Sequence, residues 1–212
     1  MNPNSLASSG CGCCTSRRRF LAAGCGVCAA SALPGVLTRL ALTAEEPAAP
    51  AAVAGRSRPR VRLVFSCFTI KQDRPTWPHI GYDFAPDIER VGSALRQLVP
   101  QVEFLAAVAH GPEDAKKLLA SGDADRIDGY LVYQMNNWVQ VMQTIVGSGK
   151  PTLVADFPFA GSGGFLVYTA GLRRKHKNFS VVASSRIEDL AESARCFTVL
   201  KQGGSAADFV AA

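Results

Sequence analysis

Two short apolar runs constrain this chain more than any other feature: Asp128-Gly-Tyr-Leu-Val-Tyr133 and Pro151-Thr-Leu-Val-Ala-Asp156. Neither alternates polar with apolar residues, as a strand with one wet face would, so each reads as a strand covered on both sides, the mark of a parallel sheet. Three further segments read as strands from their β-branched and aromatic residues: Val61 to Cys67, Val102 to Val108 and Phe179 to Ala183. Helical patterns separate them. One opens at Asp83 or Pro86 and places Ile88, Val91, Leu95 and Leu98 on one face, and a short one starts at Gly111-Pro112-Glu113-Asp114. Others are predicted over Trp138 to Val146, Phe165 to Lys175 and Ile187 to Phe197. Strand–helix alternation of this kind predicts an α/β domain over residues 61–200. Its core is a flavodoxin-like or Rossmann-like doubly wound parallel sheet of about five strands in the order 2-1-3-4-5. Residues 201–212 read as the start of a truncated or missing further region, with Ala206 to Ala212 as the first turns of another helix.

The charge is uneven along the 212 residues. Net charge is +6, but Arg17, Arg18, Arg19 and Arg39 stand against only Glu45 and Glu46 in residues 1–54, which read as export signal and linker, and Arg56, Arg58, Arg60 and Arg62 alternate in one arm that begins with a basic Pro/Arg linker over 55–60. Beyond that arm acids and bases balance, which argues against a nucleic-acid surface. Five of the seven cysteines fall in the first 28 residues, at Cys11, Cys13, Cys14, Cys25 and Cys28. Their spacing fits no tetrahedral metal site and no histidine lies near them, so they read as small apolar fillers of a discarded leader. Ser16-Arg-Arg-Arg-Phe-Leu21 precedes a weakly apolar, alanine-rich segment. Arg17, Arg18, Phe20 and Leu21 resemble the motif of a twin-arginine export signal, with Ala22 where the motif has lysine. That resemblance implies the twin-arginine translocation machinery as a partner and a periplasmic or extracellular destination, with cleavage after Ala44 or after Ala54. No uninterrupted apolar stretch is long enough for a stable membrane span in the mature chain.

In a doubly wound sheet, ligands bind where strands end at their carboxyl termini. Four loops reach that edge: Thr69 to Tyr82 with Lys71, Asp73, Arg74, Trp77 and His79; Gln134 to Trp138; Asp156 to Gly164; and Ser184-Ser185-Arg186. In the second, Gln134, Asn136, Asn137 and Trp138 suit a hydroxyl-rich ligand, since amides both donate and accept and an indole face packs on a sugar ring. The alternative is helix capping by Asn136 or Asn137, with Trp138 in the core. In the third, Asp156 is a ligand group, a carboxylate base or a turn former. Ser162 and Gly163, in Gly161-Ser-Gly-Gly164, either contact a ligand such as a phosphate or form a tight turn. His79, His110 and His176 are scattered, and no nucleophile–base pair or metal-ligand set stands out.

Asp128-Gly-Tyr-Leu-Val-Tyr-Gln-Met-Asn-Asn-Trp138, followed by Gly149-Lys-Pro-Thr-Leu-Val154, is similar to the amino-terminal region of the L-fucose and L-arabinose isomerases and of their secreted bacterial relatives. The resemblance implies an exported, sugar-contacting domain, with ligand contact at Gln134, Asn136, Asn137 and Trp138. It also implies that manganese and the acid/base carboxylates belong to a downstream domain, so that no cofactor is expected in this segment and no catalysis by it alone. A lobe of that kind binds its small sugar or polyol with help from a downstream region or from a neighbouring subunit, the second of these in a homo-oligomer. The alternatives are a stand-alone periplasmic sugar-binding lobe and, behind it, a flavin- or nucleotide-binding electron-transfer module.

Overall fold

The computed structural model describes residues 58–212. The arginine motif at Arg17, Arg18, Phe20 and Leu21, the amino-terminal cysteines and most of the linker lie outside the described residues. Five strands, β1 (Arg60–Ser66), β2 (Glu103–Ala109), β3 (Gly129–Gln134), β4 (Thr152–Asp156) and β5 (Phe179–Val182), form one sheet in the order β2-β1-β3-β4-β5. Every neighbouring pair is parallel. Between and after the strands run α1 (Ala85–Leu98), α2 (Pro112–Leu119), α3 (Val141–Val146), α4 (Ser162–Arg173) and α5 (Ile187–Ala194), with a final short α6 (Ala206–Ala211). The doubly wound topology read from the sequence is the one observed.

Alternate residues of each strand feed two separate cores, as the period of two requires. Leu63, Phe65, Leu131, Tyr133 and Leu153 pack on one face with Val91 and Leu95 of α1 and Leu190 and Ala194 of α5. Val64, Tyr130, Val132 and Val154 face the other way, onto Met142 and Ile145 of α3 and Phe165 of α4. With both faces covered, the central strands β3 and β4 are buried at every position, which explains their unbroken apolar runs.

Three helices differ from expectation in where they start or end. The third helix starts at Val141 rather than Trp138, because Trp138 and Gln140 both take positive φ (70° and 62°), outside the helical region. The fourth helix starts at Ser162, immediately after Gly161 turns the chain at φ 79°, and ends at Arg173. The fifth ends at Ala194, and the chain tightens into a 3₁₀ helix over Arg195–Gln202. The terminal segment forms α6 behind a capping box of Ser205 and Asp208, and its Phe209 is buried in a stack on Phe197 with ring centroids 4.7 Å apart.

The Asp128-Gly129 and Gly149-Lys-Pro151 elements sit at the amino ends of β3 and β4. Asp128 Oδ2 accepts from the Arg60 backbone N–H at 2.7 Å. A Cβ on Gly129 would stand 2.7 Å from Phe197 Cε1 and 2.9 Å from the Pro151 carbonyl oxygen, so only glycine lets these pieces meet. Lys150 Nζ donates to the carbonyls of Ala124 and Ile127 at 2.6 and 2.9 Å.

Candidate functional site at the carboxyl edge

The strand order reverses between β1 and β3, and a doubly wound fold opens its binding crevice there. In this chain the β1–α1 loop crosses that position. The loop is closed on itself by Gln72 N–H to the Tyr82 carbonyl and Gly81 N–H to the Gln72 carbonyl, both at 2.7 Å. Asn136 ties it down: its Oδ1 accepts from Phe68 N–H at 2.9 Å and its Nδ2 donates to the Trp77 carbonyl at 2.8 Å. Asn137 holds the next loop in the same manner, its Nδ2 donating to the carbonyls of Ala160 and Gly161 at 2.7 and 2.5 Å. Gln134 Nε2 donates to Asn137 Oδ1 at 2.7 Å. All three amides are buried. They bind protein backbone and one another, as the struts that set two loops side by side, and no side-chain cap forms at α3. Trp138 stands apart from them, 67% exposed, its ring edge-on to Tyr168 at 5.4 Å.

The struts bring Trp77 and Phe159 to the surface. These rings are 66% and 59% exposed, a costly display for large apolar groups. With Pro78, His79, Tyr82, Pro158 and Gly161 they line an open groove of about 470 Å³. The rings are backed by an aromatic chain: His79 lies edge-on to Tyr82 at 5.4 Å, Tyr82 lies 6.3 Å from Phe157, and Phe157 lies 5.3 Å from Phe159. Gly161 carries positive φ, and a Cβ there would come within 3.4 Å of the Trp77 ring.

Pro158 and Phe159 also wall a second space of about 70 Å³, reached by Arg90 of α1, Tyr133 of β3, Asp156 of β4 and the Ser184-Ser185-Arg186 loop after β5. Asp156 is only 5% exposed. Its Oδ2 accepts from Ser162 Oγ at 2.6 Å, while its Oδ1 is buried with no partner. Burial pushes the carboxyl above its ordinary value, an effect the Ser162 bond opposes. Burial likewise pushes the Tyr133 hydroxyl up to about 12, so it keeps its proton and remains a donor at neutral pH.

Of the sequence candidates, the structure thus puts Asp156 at a cavity and Ser162 on its carboxylate. Gln134, Asn136, Asn137 and Trp138 line neither space. Gly163 is exposed and a Cβ on it would meet nothing within 4 Å, so the glycine loop is explained by its neighbours: Gly161 makes the turn and Gly164 packs against Asn137. The strand pattern alone places Trp77, His79 and the Ser184–Arg186 loop at this edge, and it does not single out Phe159, Tyr82, Tyr133 or Arg90. The Phe157-Pro-Phe159 sequence directly after an apolar strand is the signal for Phe159, while nothing local marks Arg90 on its helix.

Among the described residues no group of three His, Cys, Asp or Glu side chains is arranged to hold a metal ion. Among the same residues no helix is long and apolar enough to cross a membrane. The fold and the edge site together define a doubly wound α/β domain whose switch-point crevice is crossed by its own β1–α1 loop. No family model, curated protein or solved structure matches the chain.

Proposed function

We propose that this domain binds a sugar or similar polyol at its carboxyl edge, with one apolar ring face on Trp77 and Phe159. The observation that carries this reading is the pair of exposed aromatic rings facing one groove, with a cavity beside them that shares Pro158 and Phe159 and has Arg90, Tyr133, Asp156 and Ser185 among its walls. A pyranose or furanose has that same division, a C–H face that packs on aromatic carbon and a rim of hydroxyls that need donors and acceptors. The groove is open to solvent on one side, which leaves the outer ligand face to a further region or a neighbouring subunit, as in the isomerase-like reading. The export motif at Arg17 and Arg18 supplies the address in this account, and catalysis is not assigned to the domain. Saturation-transfer NMR on the purified chain with L-fucose, L-arabinose, D-galactose and myo-inositol tests the proposal. Transfer to the C–H protons of at least one, with a dissociation constant of about 1 mM or below, supports it, since about 4 kcal/mol is a modest yield for one stacked ring. No transfer to any neutral sugar or polyol rejects it.

A further inference from the structure

The small cavity walled by Phe159 is bordered by Asp156, which carries an acceptor without a donor. Asp156 Oδ1 is buried and unpartnered, while the other carboxylate oxygen is held by Ser162. Leaving such an atom unbonded costs about 1–3 kcal/mol, and buried polar groups of folded proteins almost always find a partner in protein, water or ligand. The cavity lies at the carboxyl end of β4 and adjoins the aromatic groove through Pro158 and Phe159. A group of a ligand lying in the groove therefore reaches it by passing Phe159.

The charges around the cavity decide which group fits. A carboxylate at its border disfavours an anion. Two guanidiniums on its wall disfavour an ammonium: Arg90, whose Nη2 is 2.9 Å from Asp87, and Arg186, whose Nε lies only loosely by Glu188 and Asp189, at 3.8 and 4.0 Å. Ser184 Oγ is already spent on Asp189 Oδ2 at 2.6 Å. What remains on the wall is the Tyr133 hydroxyl, bonded to Arg90 but still with its own proton to give, Ser185 and the spare guanidinium N–H groups, together with one unsatisfied acceptor. A neutral hydroxyl satisfies both sides at once, since it donates to Asp156 and accepts from one of the others. About 70 Å³ admits a hydroxymethyl arm or a pair of neighbouring hydroxyls and excludes a whole sugar ring.

We propose that Asp156 Oδ1 accepts a hydroxyl of the ligand bound on Trp77 and Phe159, making Asp156 a specificity-determining residue that selects neutral rings with a free hydroxyl at one position. This rests on the sugar-binding reading above. The test uses the full chain and whichever of L-fucose, L-arabinose, D-galactose or myo-inositol binds best, with its complete set of monodeoxy derivatives. One deoxy position is expected to bind about tenfold more weakly than the parent. Asp156→Ala is expected to lose a similar factor for the parent and no further factor for that derivative, the coupling that marks a direct contact. Amino and carboxyl derivatives at that position are expected to bind more weakly than the parent. Should Asp156→Ala fail to fold, carboxyl NMR on the wild-type chain answers instead. With its aspartates ¹³C-labelled at the carboxyl and Asp156 assigned through Asp156→Asn, the Asp156 carboxyl signal moves on adding the parent sugar and stays in place with the one deoxy derivative. Parent binding in which no deoxy position couples to Asp156, or no Asp156 signal moves, overturns the hydroxyl contact and leaves the groove standing. Binding of no sugar removes the groove reading and the contact with it.

Discussion

The side chain of Asn137 lies directly over Gly164: a Cβ at that glycine would come within 2.7 Å of Asn137 Cγ and 3.0 Å of its Cβ. Asn137 cannot step aside, because its amide is fixed to the carbonyls of Ala160 and Gly161 and to Gln134. Gly164→Ala is therefore expected to destabilise the fold by about 1–3 kcal/mol, the ordinary range for overpacking. Gly163→Ala meets open space and is expected to be neutral or slightly stabilising. Urea unfolding of the two variants compares them directly, and equal stabilities would contradict this placement of Asn137.

Asp156 gives the stability a pH dependence of defined sign. Burial raises its carboxyl in the folded chain above the ordinary value of 3.8, so the folded state holds that proton after the unfolded state has released it. Its contribution is then most favourable below 3.8 and declines as the pH rises through the raised folded value. Asp114, Asp123 and Asp208 are shifted the other way and lose stability as the pH falls, so whole-protein profiles mix the two effects. Asp156→Asn isolates one of them. The variant's stability relative to wild type is expected to grow between pH 4 and pH 7, and a flat or falling difference in urea midpoints would refute the shift.

Lys150 and Gly129 belong to the amino ends of the strands, far in function from the groove. Removing the ammonium that serves the Ala124 and Ile127 carbonyls, in Lys150→Ala, is expected to cost about 1.5–3 kcal/mol. Gly129→Ala drives a methyl into Phe197 and the Pro151 carbonyl and is expected to cost about 1–3 kcal/mol. Sugar affinity measured on the folded fraction of either variant should equal wild type. A selective loss of affinity would put a ligand at the wrong end of the sheet.

Cys67 is fully buried at the end of β1 and its thiol is pushed up to about 12. It is a free thiol, as is the half-buried Cys196. Because the thiolate is the reacting form, iodoacetamide at pH 8 should leave Cys67 unmodified in the native protein and label it in urea. Peptide mapping reads this out independently of the five amino-terminal cysteines. Native labelling of Cys67 would mean that this corner of the core opens readily.

The topology was legible because each βα unit announces itself twice, by an apolar strand and by an amphipathic helix. The carboxyl-edge loops followed from that order alone, and Trp77, His79, Asp156 and Ser184 to Arg186 all lie there. The roles of the amides did not follow. Gln134, Asn136 and Asn137 have the composition of a sugar site, yet the same donor and acceptor pairs satisfy backbone groups of two loops that lie 59 and 24 residues away in sequence, at Trp77 and Gly161. Only the folded arrangement distinguishes those uses. Arg90 reaches the cavity from the middle of a helix whose pattern signals packing and solvent and nothing else. The Asp-Gly and Gly-Lys-Pro elements were visible as motifs, but their work in closing the amino end of the sheet depends on Phe197, Ala124 and Ile127.

Trp77 and Trp138 are the two tryptophans of the chain, which makes the central claim directly measurable. In Trp138→Phe the emission reports on Trp77 among the indoles, and titration with the sugars that give saturation transfer should quench or shift it with the affinity of the wild type. In Trp77→Phe the response should vanish and the affinity fall by about threefold to tenfold, as a smaller ring replaces the indole. An unchanged affinity in Trp77→Phe, with the sugar response surviving through Trp138, would contradict the account and move the binding site to the other tryptophan.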